Sequence, residues 1–247
     1  MSSDRNRDRN RTTIGRVIGL WRYPVKSMAG ESLAQAEVSW HGLLGDRRWA
    51  FIRNGVERSG FPWLTLRECP DMACYQPWFS DSALPEKSPL MVRSPTGMEY
   101  DILDPALGKA LQPDGVRVIK QDRGIFDTFP LSIITTQTIA SLAQRVGTPL
   151  DTRRFRPNLL VEASGDAEFP EDAWVGSVLH IGATQLRVDK RDGRCVVITI
   201  DPETRERNTA ILRTVASDRQ GCLGVYGTTV KPGSIAIHDE VVIESDA

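Results

Sequence analysis

The sequence has few of the residues on which several common site types depend. Its 247 residues include only three histidines and four cysteines, and none of them has the spacing of a zinc or iron site. The nucleotide signatures G-x-G-x-x-G and G-x-x-x-x-G-K-[ST] and the hydrolase signature G-x-S-x-G do not occur. Any enzymatic chemistry is therefore expected to depend on a cysteine or on a bound cofactor.

Charge and hydropathy argue against two classes of partner. Lys and Arg total 31 against 32 Asp and Glu, a net charge of −1, which provides no general attraction to nucleic acid or acidic membranes. No apolar run approaches the ~20 residues that span a bilayer. The Arg- and Asn-rich residues 1–12 lack the apolar core of a secretory signal. We expect a cytoplasmic protein with a disordered tail over 1–12 and neither membrane nor nucleic-acid partners.

Short apolar runs separated by turn residues dominate the first half of the chain, a pattern typical of a barrel or sandwich. Residues 90–93 and 98–103 flank a Ser-Pro-Thr-Gly turn and predict a hairpin. The first helix is predicted after Thr135 and Thr136, with its apolar stripe ending before Gly147. We predict a mostly β (α+β) fold whose two parts divide near 129/130.

Cys195 is the cysteine with the strongest chemical signal. It follows Arg194, at the entrance to a predicted strand over 196–200. A neighbouring guanidinium favours the thiolate, which is both a nucleophile and a soft-metal ligand. Taken alone, the same local sequence also fits a half-buried structural cysteine.

Three polar segments could bind an anion, although each alone also fits a solvated loop. In residues 153–158, Pro157 holds Arg156 in an extended conformation that projects its guanidinium. Residues 23–27 place Lys26 and Ser27 directly after an apolar strand. Residues 42–49 bracket a charged turn with glycines.

The order of these segments resembles the MOSC family (molybdenum-cofactor sulfurase C-terminal domain), in the branch that carries an N-terminal MOSC β-barrel and includes the mitochondrial amidoxime-reducing component. The resemblance extends over about residues 14–243. Its motifs are LWRYPVKS at 20–27, GDRRW at 45–49, TLR at 65–67, FRPN at 155–158, Trp174 with Gly176, RC at 194–195 followed by TIDPET at 199–204, and LGVY at 223–226. It implies an N-terminal MOSC β-barrel domain over 13–129, packed on a MOSC β-barrel domain with a few helices over 130–247.

The resemblance also implies a molybdenum cofactor (Mo-molybdopterin) with Cys195 as the protein ligand of the metal. The positions that would hold the pterin and its phosphate are Lys26, Ser27, Arg47, Arg156, Asn158 and Arg194. Hydroxyls near the cofactor would come from Thr135, Thr136 and Thr138, and a late pocket tyrosine from Tyr226. Asp201 would either cap a turn or lie near the substrate as a catalytic residue. Two positions depart from the family pattern, Gly193 where a serine is frequent and Arg205 where a glycine is frequent.

The implied reaction is a two-electron reduction of N-hydroxylated compounds, namely amidoximes, hydroxylamines or N-hydroxylated bases. Electrons would come from separate proteins, either ferredoxin-like or a flavoprotein reductase. One alternative is a sulfur carrier that uses a Cys195 persulfide in metal-sulfur cofactor assembly. Another is a non-catalytic molybdopterin-binding barrel.

Overall fold

The computed structural model describes residues 11–56 and 58–244. Residues 1–10 of the expected disordered tail lie outside the described residues, and Arg11 and Thr12 begin the first strand. The strands are β1 Arg11–Arg22, β2 Glu31–Ser32, β3 Gln35–Ser39, β4 Gly42–Leu43, β5 Trp49–Arg53, β6 Gln76–Phe79, β7 Leu90–Arg93, β8 Glu99–Asp101, β9 Val116–Lys120, β10 Leu131–Thr135, β11 Leu159–Ala163, β12 Val178–Ile181, β13 Thr184–Gly193, β14 Cys222–Lys231, β15 Gly233–Ala236 and β16 Glu240–Glu244. The α-helices are α1 Pro105–Leu111, α2 Thr136–Val146 and α3 Thr209–Arg219.

Seven strands close into a barrel in the order β11-β10-β14-β13-β12-β16-β1, and pairing of β1 with β11 completes the ring. Closure leaves no free edge among these strands. Alternating apolar residues such as Leu186 and Val188 of β13 fill the interior. Strands β10 and β11 run parallel, so a crossover must connect them, and α2 is part of it. This architecture confirms the expected mostly β (α+β) fold.

Two other sheets, the three-stranded β6-β7-β8 and the two-stranded β5-β9, contribute to a second apolar core beside the barrel. The three-stranded sheet β15-β3-β4 instead buries its apolar residues, such as Val38 and Ile235, in the barrel core. The hairpin predicted for residues 90–93 and 98–103 is confirmed as β7 and β8. Ile200, from the later half of the chain, is buried in the second core with Val25 and Leu64. A residue from the later half of the chain is therefore buried among residues of the earlier half, and the two parts pack together. The domain boundary near 129/130 stays a prediction.

Local signals account for the helix ends. The Thr135 side chain accepts a hydrogen bond from the Thr138 N–H at the start of α2, and Gly147 ends the helix in a left-handed conformation. Asn208 caps α3 in the same way. Within residues 11–56 and 58–244, none of the helices combines the length and the apolar character needed to cross a membrane.

The strand predicted over 196–200 is wrong. A 3₁₀ helix, Val196–Thr199, occupies this segment, and the Thr199 hydroxyl donates to the Val196 carbonyl (2.7 Å). The β-branched run is typical of a strand, but Ile198 packs against α2 and α3 while Ile200 enters the second core. The 3₁₀ turn points these two side chains in different directions, so that each is buried in a different core. Tertiary packing thus overrides the preference of this local sequence for a strand.

Candidate functional site

Three non-glycine residues that line one cavity have positive φ angles. Of the six non-glycine residues with positive φ in the described chain, Ser27 (70°), Arg47 (47°) and Arg156 (50°) line a single cavity of about 160 Å³. The extended conformation expected for Arg156 before Pro157 is therefore wrong, because this residue ends the 3₁₀ turn 152–155 in the left-handed conformation. Left-handed backbone is disfavoured for such residues and persists where the surrounding structure enforces it, frequently at functional sites. The cavity is therefore the first candidate for a binding site.

The cavity brings together residues that are far apart in the chain. Its walls come from the segments at 26–27 and 126–127, from the start of the 3₁₀ helix 196–199, and from β13 and β14. Seven of the residues predicted from the sequence line it, namely Lys26, Ser27, Arg47, Arg156, Arg194, Cys195 and Tyr226.

Cys195 lies immediately before the 3₁₀ helix 196–199, at the junction of the two cores. Its thiol is half-buried and forms no disulfide, and its side chain makes no capping hydrogen bond to the helix. Burial lowers the pKa of Lys26, and Cys195 is close enough to be among the groups that oppose this shift. The thiol is thus available to a ligand in a cavity whose other walls carry positive charge.

Two cations of the cavity are neutralised by carboxylates. Arg47 pairs with buried Asp46 (2.5 Å) and with Asp127 (2.8 Å). Arg194 pairs with Asp192 (2.9 Å) and also donates to the carbonyls of Leu223 and Phe155. These ion pairs and hydrogen bonds hold the guanidinium groups in fixed positions.

Two other cations have only carbonyl partners. Lys26 Nζ donates to the Phe126 carbonyl (2.8 Å) and Arg156 Nη1 to the Met28 carbonyl (2.5 Å). Neither has a carboxylate within 4 Å anywhere in the described residues. Arg156 also lies over the ring of Tyr23, 4.3 Å from its centroid.

Burial affects the protonation of this cluster. It lowers the pKa of Lys26, and it lowers the pKa of Arg156 to about 10 with a further contribution from the like charge of Arg47. Burial raises the pKa of Tyr23 to about 12, against the opposing charges of Arg156 and Arg47. Arg156 remains charged at neutral pH in an environment that penalises its charge, so an anionic ligand would stabilise it.

The residues present fit a phosphate-bearing ligand with a soft metal. Lys26 and Arg156 form no ion pair in the described residues, although the charge of Asp127 acts on both at longer range, and Arg194 Nη2 is buried without a hydrogen-bond partner in the described chain. Each provides N–H groups of the kind that bind phosphate or a polar heterocycle. Cys195 adds the sulfur donor that a soft metal prefers.

Asp192 is a cavity residue that the sequence reasoning missed. The residue is only 1% exposed, and its carboxylate pairs with Arg194 (2.9 Å) and accepts a hydrogen bond from the Ser132 hydroxyl (3.3 Å). Burial raises the pKa of Asp192, although the charge of Arg194 and a hydrogen bond with the Tyr226 hydroxyl both oppose this shift. Its Oδ1 has no partner in the described chain. The charged run 189–192 resembles a solvated strand end, so its composition gave no signal of burial, although the alternation of buried Leu186 and Val188 in β13 places Asp192 on the same face.

The three predicted threonines do not line the cavity. Thr135 and Thr138 donate their hydroxyls to Glu171 Oε2 (2.8 and 2.7 Å), and Thr136 bonds Gln137. Glu171 is fully buried, and its other oxygen has no partner in the part of the chain that is described. In this arrangement the threonine hydroxyls serve a buried carboxyl, and their contact with a cofactor stays a prediction.

Asn158 lies behind the cavity wall and hydrogen-bonds Arg47, which lines the cavity. Its amide oxygen accepts from Arg47 Nη1 and from the Ser132 N–H (both 3.1 Å), and its amide nitrogen donates to the Trp21 carbonyl (3.2 Å). This buried amide therefore holds Arg47 in place without lining the cavity itself.

Asp201 lies outside the cavity and organises a turn. Its Oδ1 accepts the N–H groups of Glu203 and Thr204 (both 2.9 Å), and these bonds lower its pKa despite partial burial. Its Oδ2 accepts from Arg154 (2.5 Å). Arg205, in the position where the family frequently has glycine, adopts φ of 66°. The turn keeps its left-handed conformation without the glycine that usually allows it.

Comparisons with known proteins agree in sequence and in structure. The MOSC N-terminal beta barrel domain matches residues 14–126 and the MOSC domain matches residues 120–242. The chain is 26% identical to mitochondrial amidoxime-reducing component 1 of Homo sapiens, covering 93% of this chain and 83% of that protein. It is 24% identical to molybdenum cofactor sulfurase of Drosophila mojavensis, covering 85% of this chain and 31% of that protein. The crystal structure of the YUAD protein from Bacillus subtilis superposes with a TM-score of 0.50 at 13% identity, covering 96% and 98% of the two chains.

Proposed function

This chain belongs to the MOSC family, and from that premise we propose that it is a molybdenum-cofactor-dependent reductase of N-hydroxylated compounds. Its relatives include proteins named as amidoxime-reducing components and as a molybdenum cofactor sulfurase. Amidoximes, hydroxylamines and N-hydroxylated bases are the proposed substrates. Separate electron-transfer proteins, ferredoxin-like or a flavoprotein reductase, are the proposed electron donors, and the cytoplasm the proposed location.

The observation that carries this proposal is the position of the Cys195 thiol in a cavity where two cations, Lys26 and Arg156, form no ion pair within the described residues. A barrel that binds no anionic ligand has no need to hold Lys26 and Arg156 half-buried with only carbonyl partners, because burying an unpaired charge costs stability. A phosphate-bearing ligand compensates that cost by pairing with both cations. The thiolate is then the one soft donor on the same wall.

In the proposed mechanism, Lys26 and Arg156 bind the phosphate and Cys195 ligates the metal. When bound, the molybdenum cofactor supplies the two-electron chemistry of the reduction. The substrate takes up two electrons and two protons, its N–O bond breaks, and the N–H compound and water are released. Asp192 pairs with Arg194 at the cavity wall and would hold that guanidinium in position toward the bound group.

The test compares two cysteine variants purified with the cofactor. We expect Cys195→Ser to reduce molybdenum content and benzamidoxime reduction by at least about tenfold, since a metal site that loses a ligand or its supporting contacts weakens by this order. Cys222→Ser is the matched control, because Cys222 is also half-buried and free but does not line the cavity. Activity and metal content at the level of the control in Cys195→Ser would refute the assignment.

The sulfur-carrier alternative uses the same thiol. The sulfurase relative and the free, half-buried Cys195 favour it, because a persulfide needs a nucleophilic thiolate and no metal. Labile sulfane sulfur on the wild-type protein that is lost in Cys195→Ser, without stoichiometric molybdenum or pterin fluorescence, would establish the carrier role in place of the reductase.

A further inference from the structure

A groove of about 750 Å³ adjoins the Cys195 cavity. The two spaces share four wall residues, Leu66, Arg154, Arg156 and Val197. On one side the groove is bounded by the β6–β7 region, and on the other by the segments around 153–156 and 200–205. It therefore runs between the two parts of the protein and ends at the wall of the candidate site.

Aromatic rings line the groove. Trp21 and Trp78 line it, and flat rings of this kind stack on planar ligands; Tyr23 also lines it, but its ring is only 2% exposed and already packs against Arg47 and Arg156. Gly30 keeps the groove open beside Tyr23, because a Cβ at Gly30 would lie 2.5 Å from the tyrosine ring. The Tyr23 hydroxyl is buried and has no hydrogen-bond partner in the described residues, an arrangement that a polar ligand atom would satisfy.

The groove has a positive wall. Its lining contains five arginines and two glutamates, and the glutamates already pair with Arg22 and Arg153. Exposed Arg93 and Arg205 each pair with one surface carboxylate, Glu99 (2.8 Å) and Asp71 (3.2 Å), a kind of pair that is weak in water, and Arg93 also lies over Trp78 (5.3 Å). Arginine beside an aromatic ring suits a planar ligand with an acidic group.

We propose that this groove binds the body of the substrate, and that the preferred substrate is a flat aromatic N-hydroxylated compound with an acidic group at its far end. The N-hydroxyl end reaches the Cys195 cavity past Arg156, the rings stack on Trp78 and Trp21, and the acid faces Arg93 and Arg205. This inference rests on the proposed reductase function and names its substrate class.

The first test measures binding without any reaction. The probe is 4-(4-amidinophenyl)benzoate, the reduced form of such a substrate, titrated against tryptophan fluorescence of the cofactor-loaded protein. We expect saturable quenching, and Trp78→Ala should raise the Kd about tenfold, the upper range for loss of an aromatic pair. Trp78→Phe keeps the stacking and should stay within about threefold of wild type.

The matched control is Trp40→Ala, because Trp40 is exposed between β3 and β4 and does not line the groove. Its Kd should equal that of wild type. Equal Kd values for Trp78→Ala and Trp40→Ala would overturn the proposal. Quenching seen only in cofactor-free protein would also overturn it, because the cofactor would then occupy the groove itself. A Kd that is unchanged when the probe lacks its carboxylate would overturn the acidic preference.

The second test separates this inference from the proposed function. The amidoxime form of the probe and acetamidoxime, which is too small to fill the groove, are compared as substrates under reduced viologen. We expect Trp78→Ala to raise KM about tenfold for the large substrate and to leave acetamidoxime unchanged. If neither compound is reduced by wild type, the reductase function fails while the fluorescence titration still decides whether the groove binds. If both are reduced with equal KM, the groove proposal alone fails.

Discussion

Replacement of Gly224 by alanine is expected to disturb the candidate site through Arg194. Gly224 lies in β14 with φ of 73°, and a Cβ there would meet the Ile133 carbonyl at 2.8 Å and Arg194 Nη2 at 3.1 Å. The carbonyl belongs to a buried barrel strand and cannot move freely. The guanidinium is therefore the group that has to shift, and it is the one that also carries the Asp192 ion pair.

Gly221 provides a control with the same backbone strain and no contact. Its φ is 76°, and a Cβ there meets nothing within 4 Å. A left-handed alanine costs about 1–2 kcal/mol at either position. The contacts at Gly224 should add about 1–3 kcal/mol, the usual penalty of inserting a methyl group into packed surroundings. The difference between the two variants isolates the effect of displacing Arg194.

The assay combines urea unfolding with molybdenum content after identical purification. We expect Gly221→Ala to lose about 1–2 kcal/mol of unfolding free energy and to retain the cofactor. Gly224→Ala should lose more stability and a large part of the metal, because Arg194 supports the binding wall. Equal stability loss and equal metal content in the two variants would refute the role assigned to Arg194.

Two further predictions concern buried charge. Glu171→Gln should raise the unfolding free energy by about 1–3 kcal/mol at pH 8, because burial raises the pKa of Glu171 and the fold loses stability as pH rises above the unfolded carboxyl pKa. The gain should vanish below that pKa, and exposed Glu162→Gln should show no such pH dependence in parallel urea titrations. Asp127→Asn should cost about 1–3 kcal/mol at pH 7, because Arg47 lowers the pKa of Asp127 despite its burial. This cost should disappear as pH falls through the folded pKa, and a cost that persisted in acid would show that the ion pair is not its source.

Much of the local structure was predictable because neighbouring residues determine it. Helix α2 begins at its Thr135 cap and ends at Gly147, and both signals lie within one turn of the helix. The β7–β8 hairpin follows from its turn residues. By contrast α1, capped by Asp104, was missed because a seven-residue helix has too short an apolar pattern to stand out among strands.

The sequence by itself determined which residue types could do chemistry here. It limited the candidates to a cation-flanked cysteine and a few basic segments, and the motif order identified the family that the comparisons support. These features depend on identity and order along the chain, which a sequence records directly.

Only the tertiary structure decided which of those residues meet. It brought Cys195 beside Lys26 and Arg156, turned Thr135 and Thr138 toward Glu171, and buried Asp192 at the cavity wall. Each outcome depends on contacts between segments far apart in the chain. Burial and pairing arise from those distant contacts, so no local pattern could reveal which cations would form no ion pair.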